Sequence, residues 1–226
     1  MNEFASVWNG LDWSVLTDIL FSIIPALICI TLHELSHGYV AYLLGDDTAK
    51  RAGRLTLNPV RHIDWWGLVM MVLFHFGWAK PVPVNMSRFK NPKRGMAVTA
   101  LAGPVSNLII AAVFIFLYGV LYMPLLTHYS PLNRAILEMI MTTGYLSTAL
   151  AVFNLIPISP LDGSKVLFSV LSDRAYAKLM RYERYGMIIL LLLVVTGGLS
   201  GVLSTATGWV YDRLFFIAEF GFELVN

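Results

Sequence analysis

Charge is scarce in this chain. Lys, Arg, Asp and Glu make up 13% of its 226 residues, against 57% hydrophobic residues, which excludes an ordinary soluble domain with its roughly 25% charged residues. The formal net charge of +2 is too small to suggest nucleic-acid binding, and the basic residues fall in short clusters between apolar runs. Cysteine is almost absent too. A lone Cys29 can form no intrachain disulfide and excludes any Cys-rich zinc module. Residues 1–16 contain Glu3 and Asp12 but no Lys or Arg. They lack the basic region of a cleavable signal peptide, so the first apolar segment is expected to stay in the mature protein. No repeat or low-complexity linker interrupts the chain.

What is present is long apolar sequence, with a mean hydropathy of +0.68. Four segments reach the roughly 20 residues that a helix needs to cross a hydrocarbon core: 15–44, 96–123, 135–156 and 186–207. The expected fold class is therefore an all-α polytopic membrane protein. Lys and Arg in the connections set its sides. None precedes the first segment, four lie between Asp46 and Asp64 and five between Lys80 and Arg94, then one (Arg134) and again five (Lys165, Arg174, Lys178, Arg181, Arg184). By the positive-inside rule the N-terminus is outside and the basic loops face the cytoplasm, as in a multi-pass plasma-membrane protein.

The stretch 65–79 is apolar but short, with basic loops on both flanks, so a re-entrant or interfacial element is expected there. Trp78 to Asn85 alternates apolar with polar or Pro positions and reads as an edge strand; Arg54 to Asn58 reads as a second short strand. Residues 208–226 mix aromatic with charged side chains and suggest a C-terminal interfacial helix. The expected organisation is one membrane-embedded domain over 1–226, with its core at about 15–170 and an added transmembrane helix plus interfacial segment over 186–226.

The first segment carries His33-Glu-Leu-Ser-His37. Two histidines four apart lie one helical turn apart on one face, the spacing that lets two imidazoles bind one metal ion. Glu34 then lies beside that ion, placed to take a proton from water and pass it to a leaving amine. Ionisable groups inside a membrane helix cost about 2.5–3.5 kcal/mol each on insertion scales and usually mark a functional interior. Incidental polar residues at a helix end are the plainer alternative.

A catalytic zinc normally has three protein ligands. His128 falls on the outer side, away from the motif, whereas His62 and His75 belong to the interfacial region. Asp162, in Asn154-Leu-Ile-Pro-Ile-Ser-Pro-Leu-Asp-Gly163, follows the third crossing and arrives at the depth of the motif. It also suits an ordinary turn or a helix N-cap. The missing third ligand favours metal. Asn107 and Asn154 are amides in or next to membrane helices, able to bond a substrate backbone or an oxyanion, or simply to link helices.

Through these motifs, together with Gly45-Asp-Asp-Thr-Ala-Lys50, Gly53-Arg-Leu-Thr-Leu-Asn-Pro59, Gly77-Trp-Ala-Lys-Pro-Val-Pro-Val-Asn85 and Gly103-Pro-Val-Ser-Asn107, the chain resembles the site-2 protease family of intramembrane zinc metalloproteases. It is most similar to the short bacterial and archaeal type without a PDZ or CBS domain. The resemblance implies one zinc ion per chain held by His33, His37 and Asp162, Glu34 as catalytic base, and Asn107 and Asn154 as substrate contacts. It also implies membrane-embedded protein substrates and regulated intramembrane proteolysis. A transporter, or a non-catalytic protein that binds membrane helices, is the rival expectation; transport would need further ionisable groups along the bundle, and 96–123 and 135–156 hold few.

Overall fold

The computed structural model describes residues 13–67, 69, 77–128 and 130–225. Its long helices are α1 (Trp13–Leu43), α3 (Pro92–Thr127), α4 (Pro131–Leu155), α6 (Asp173–Val195) and α7 (Ser200–Glu223), with short helices α2 (Thr48–Arg51) and α5 (Asp162–Ser169) between them. Their starts are written in the sequence. The Asn91 side chain accepts from Arg94 N–H ahead of Pro92, and Ser130 accepts from Asn133 N–H ahead of Pro131. In both, a capping oxygen precedes a proline whose missing N–H costs nothing in the first turn.

Helix α3 is the centre of the bundle, with α1, α4, α5 and α7 all packed against it. Its buried side is mostly small or polar, with Thr99, Ala100, Gly103, Asn107 and Ala111 beside the larger Ile110 and Ile115. Its other side exposes Val98, Val105, Ile109 and Val113. A helix that hides its small and polar residues and presents valine and isoleucine outward is built for a lipid solvent.

Among the described residues, three helical stretches are long and apolar enough to cross a membrane: Ile23–Leu43, Pro92–Thr127 and Pro131–Leu155. These match the first three expected crossings, and the chain is a multi-pass membrane protein. The fourth expected crossing, 186–207, is divided. Tyr185–Val195 and Ser200–Glu223 meet at 85°, across a turn where Gly197 adopts φ of 73°, a conformation that penalises any Cβ. The final helix accordingly begins at Ser200 instead of 208 and packs along α3, burying Thr207, Ala218 and Gly221.

The short β-strands expected from the sequence do not form. No sheet exists among the described residues, only one isolated antiparallel bridge between Ile63 and Ala79. The reason lies in where the backbone donors of 78–85 go. Lys80 N–H bonds to His62 C=O, but Val82 N–H bonds to the Glu34 carboxylate and Asn85 N–H to the Asp46 carboxylate, while Pro81 and Pro83 have no N–H. Side chains satisfy the segment where a strand partner would have done so. Most of the expected re-entrant element, residues 68 and 70–76, lies outside the described residues.

Candidate metal centre

Helix α1 places His33 and His37 on the face turned toward α3 and α5. Asp162 is brought to them by the end of α4: after Leu155 the chain runs through Pro157 and Pro160, which cannot continue a helix, and α5 starts at Asp162. The Asp162 Oδ2 atom lies 3.2 Å from His33 Nε2 and 3.1 Å from His37 Nε2, and the two Nε2 atoms are 3.0 Å apart. All three side chains are buried. Two imidazoles and one carboxylate from segments 125 residues apart in sequence thus converge on one point, the only such group able to hold a metal ion among the described residues.

The geometry fits zinc. Tetrahedral ligation at about 2.0–2.1 Å puts donor atoms about 3.3 Å apart, close to the separations seen. The hydrogen-bonding chemistry is compatible with a metal ion as well. His37 Nδ1 lies 2.7 Å from the Thr99 carbonyl oxygen. A carbonyl only accepts, so Nδ1 carries the hydrogen and a neutral His37 turns a lone pair on Nε2 toward the carboxylate of Asp162. A neutral His37 and the Asp162 carboxylate would then be two acceptors 3.1 Å apart, a pair that needs a proton or a metal ion between them. A metal ion between them turns that repulsion into ligation.

Gly103 makes the arrangement possible. A Cβ built there would lie 2.5 Å from His33 Cε1 and 2.5 Å from His37 Nε2, so only glycine lets α3 approach both rings. Its neighbours on the same face, one turn to either side, also touch them. Thr99 offers its carbonyl to His37, and the Asn107 amide nitrogen lies 3.2 Å from His33 Nδ1. Contacts that descend α3 as they climb α1 mean that the two helices run antiparallel at this point.

A cavity of about 160 Å³ opens at the donors, lined also by Glu34, Val82, Asn154 and Lys165. Glu34 is half-buried, and its Oε2 accepts the Val82 N–H at 2.8 Å. Lys165 Nζ lies 3.4 Å from Asp162 Oδ1, the oxygen that the histidines do not use. Asn154 donates one amide hydrogen to Leu150 C=O in its own helix, at 2.9 Å, and its side chain reaches the cavity wall.

Asn107, expected beside substrate, is fully buried behind His33 and does not line the cavity. His62 is held elsewhere, its Nε2 at 2.9 Å from Thr56 C=O, and His128 caps the far end of α3. His75 lies outside the described residues. Sequence reasoning missed the roles of Thr99, Gly103, Val82 and Lys165. The signal for the first two was present: Thr99, Gly103 and Asn107 recur every four residues, which is one face of one helix.

Residues 124–196 match the family model for peptidase family M50, a stretch that includes Asn154 and Asp162. YwhC of Bacillus subtilis is 39% identical over 176 residues, covering 78% of this chain and 80% of its own. Rip2 of Mycolicibacterium smegmatis is 26% identical over 190 residues, covering 82% and 71%. MJ0392 of Methanocaldococcus jannaschii is 27% identical over 194 residues, covering 85% of this chain and 45% of that protein. All three carry the words zinc metalloprotease in their names. No solved structure gives a significant match. With a relative of this identity matched over most of both lengths, and a His33, His37 and Asp162 cluster suited to zinc, the chain belongs to peptidase family M50, the site-2 protease family of zinc metalloproteases.

Proposed function

We propose that this protein hydrolyses peptide bonds in or next to transmembrane segments of other membrane proteins, as a step of regulated intramembrane proteolysis. The supporting observation is the convergence of three metal-binding side chains beside a carboxylate, in a cavity set among apolar helices. In this reading His33, His37 and Asp162 hold the zinc ion and Glu34 is the catalytic base. When bound, zinc supplies Lewis acidity to water and to the scissile carbonyl. Glu34, oriented by the Val82 N–H, takes the proton from the attacking water and delivers it to the leaving amine. Asn154 has a second amide hydrogen free of its Leu150 bond, and that donor meets the substrate carbonyl from the cavity wall. Asp162 would help to hold the metal, and Lys165 Nζ lies 3.4 Å from its Oδ1.

The whole chain acts as one membrane-embedded unit. The distribution of Lys and Arg among its loops supports an N-terminus outside and an active site toward the cytoplasmic side of the cell membrane, where water can reach it. Purified full-length protein, the Glu34→Gln variant and the His33→Ala variant are compared for zinc content and for cleavage of a reporter bearing a transmembrane segment. Glu34→Gln retains zinc and loses cleavage, while His33→Ala loses both. Cleavage by either variant at the parent rate refutes the assignment. Cleavage of a soluble peptide but of no transmembrane reporter refutes the substrate class.

A further inference from the structure

The two imidazoles are held in matching ways. Each turns Nε2 toward Asp162 and Nδ1 toward α3. For His37 the partner on α3 is a main-chain carbonyl, which fixes the hydrogen on Nδ1 and leaves the Nε2 lone pair for a metal. For His33 the partner is the side-chain amide of Asn107, a group with one donating and one accepting end.

With the nitrogen end against His33, at 3.2 Å, Nδ1 would have to accept and the ring hydrogen would sit on Nε2. That is the wrong tautomer for a ligand, since Nε2 would then point a hydrogen at the site of the cation. In either orientation one end of the amide meets His33 and the other is buried without a partner, so the tautomer decides between them. Turning the amide over exchanges two ends of nearly the same shape and corrects the tautomer at once. The oxygen then meets His33 Nδ1 and accepts its hydrogen, while the amide nitrogen takes the buried place the oxygen left.

We propose that Asn107 is a positioning residue for the metal and not a substrate contact: its Oδ1 accepts the His33 Nδ1 hydrogen and so fixes the tautomer whose Nε2 faces His37 and Asp162. Burial supports this, because Asn107 has no exposed surface and no place on the cavity wall. So does its anchoring. The Asn107 carbonyl accepts from Ser147 Oγ on α4 at 2.8 Å, which ties this turn of α3 in place. One face of α3 thereby sets both tautomers, through the main chain at Thr99 and a side chain at Asn107, on either side of Gly103. The inference rests on the metal site proposed above.

The test uses full-length protein and zinc alone, with affinity measured by chelator competition. Asn107→Ala removes the acceptor and weakens zinc binding by about 10- to 100-fold, the usual effect of losing a partner of a metal-bound histidine. Asn107→Asp offers a carboxylate oxygen in the same place and keeps parent-like affinity. A substrate contact or a packing residue gives a different pattern. Parent-like affinity in Asn107→Ala, or equal weakening in both variants, overturns the proposal. Nitrogen NMR of labelled histidines in the zinc-loaded parent provides a reading that needs no variant to fold. A protonated, hydrogen-bonded Nδ1 on His33 is expected, and a proton on Nε2 overturns the proposal. A parent that binds no zinc refutes the metal site itself; one that binds zinc through another His33 tautomer refutes only the role of Asn107.

Discussion

Replacing Gly103 with alanine adds one methyl group at the most crowded point of the site. The new Cβ would stand 2.5 Å from His33 Cε1, 2.5 Å from His37 Nε2 and 2.6 Å from His37 Cε1. Non-bonded carbon contacts settle at about 3.5–4.0 Å, so the rings and α3 must separate by about 1 Å. Metal–ligand distances tolerate only about 0.2 Å. In the zinc-free protein the imidazoles can turn away from the methyl group; in the zinc-loaded protein they cannot. The strain therefore falls on the loaded state. Overpacking of about 1–3 kcal/mol corresponds to zinc binding weakened by about 5- to 150-fold. Chelator competition on purified protein measures it, with cleavage of a transmembrane reporter at saturating zinc as a second readout. Gly103→Ala protein with the parent's zinc affinity and cleavage rate would refute the packing of α3 on both rings.

Zinc removal should also loosen the fold, because the metal joins α1 to α5. With free zinc at 100 times Kd, linkage adds about 2.7 kcal/mol, so chelation lowers Tm by about 5–10 °C, whereas His33→Ala shows no chelator effect. Val82→Pro removes the N–H that holds Glu34; a hydrogen bond to a charged group is worth about 1.5–3 kcal/mol, and cleavage should fall by about 10- to 150-fold with zinc content unchanged. Asp46 is buried, which by itself would raise its pKa, but the Thr48 hydroxyl, the Asn85 and Thr48 N–H groups and the Arg88 charge outweigh burial and hold it below 3.8. A depressed carboxylate contributes stability above its unfolded pKa and loses it as pH falls through the folded value. Asp46→Asn should therefore cost about 1.5–3 kcal/mol at neutral pH, a difference from the parent that shrinks below about pH 4 in denaturation measured across pH.

Apolar run length and loop charge made the first three helices readable, because a membrane helix needs nothing else to be recognised. His33, Glu34 and His37 were readable because their spacing is local. Asp162 was reached by depth, and in the structure its Oδ2 lies within 3.2 Å of Nε2 of both histidines. The failed strands show the limit of local pattern. Alternation over 78–85 is real, but Val82 and Asn85 give their hydrogens to Glu34 and Asp46, partners that lie 48 and 39 residues away in sequence. The burial of Asn107 behind His33 was hidden for the same reason. A polar residue in an apolar helix announces a partner without saying which side of the site the partner occupies.

The bond from Val82 to Glu34 carries one more consequence. Pro81 and Pro83 flank its donor, and a proline nitrogen has no hydrogen to give. Sliding the segment by one residue in either direction would set a proline opposite the glutamate and strip the base of its donor. Two rigid residues therefore act as stops on a rail, keeping the cavity wall in step with the base where no sheet among the described residues does it.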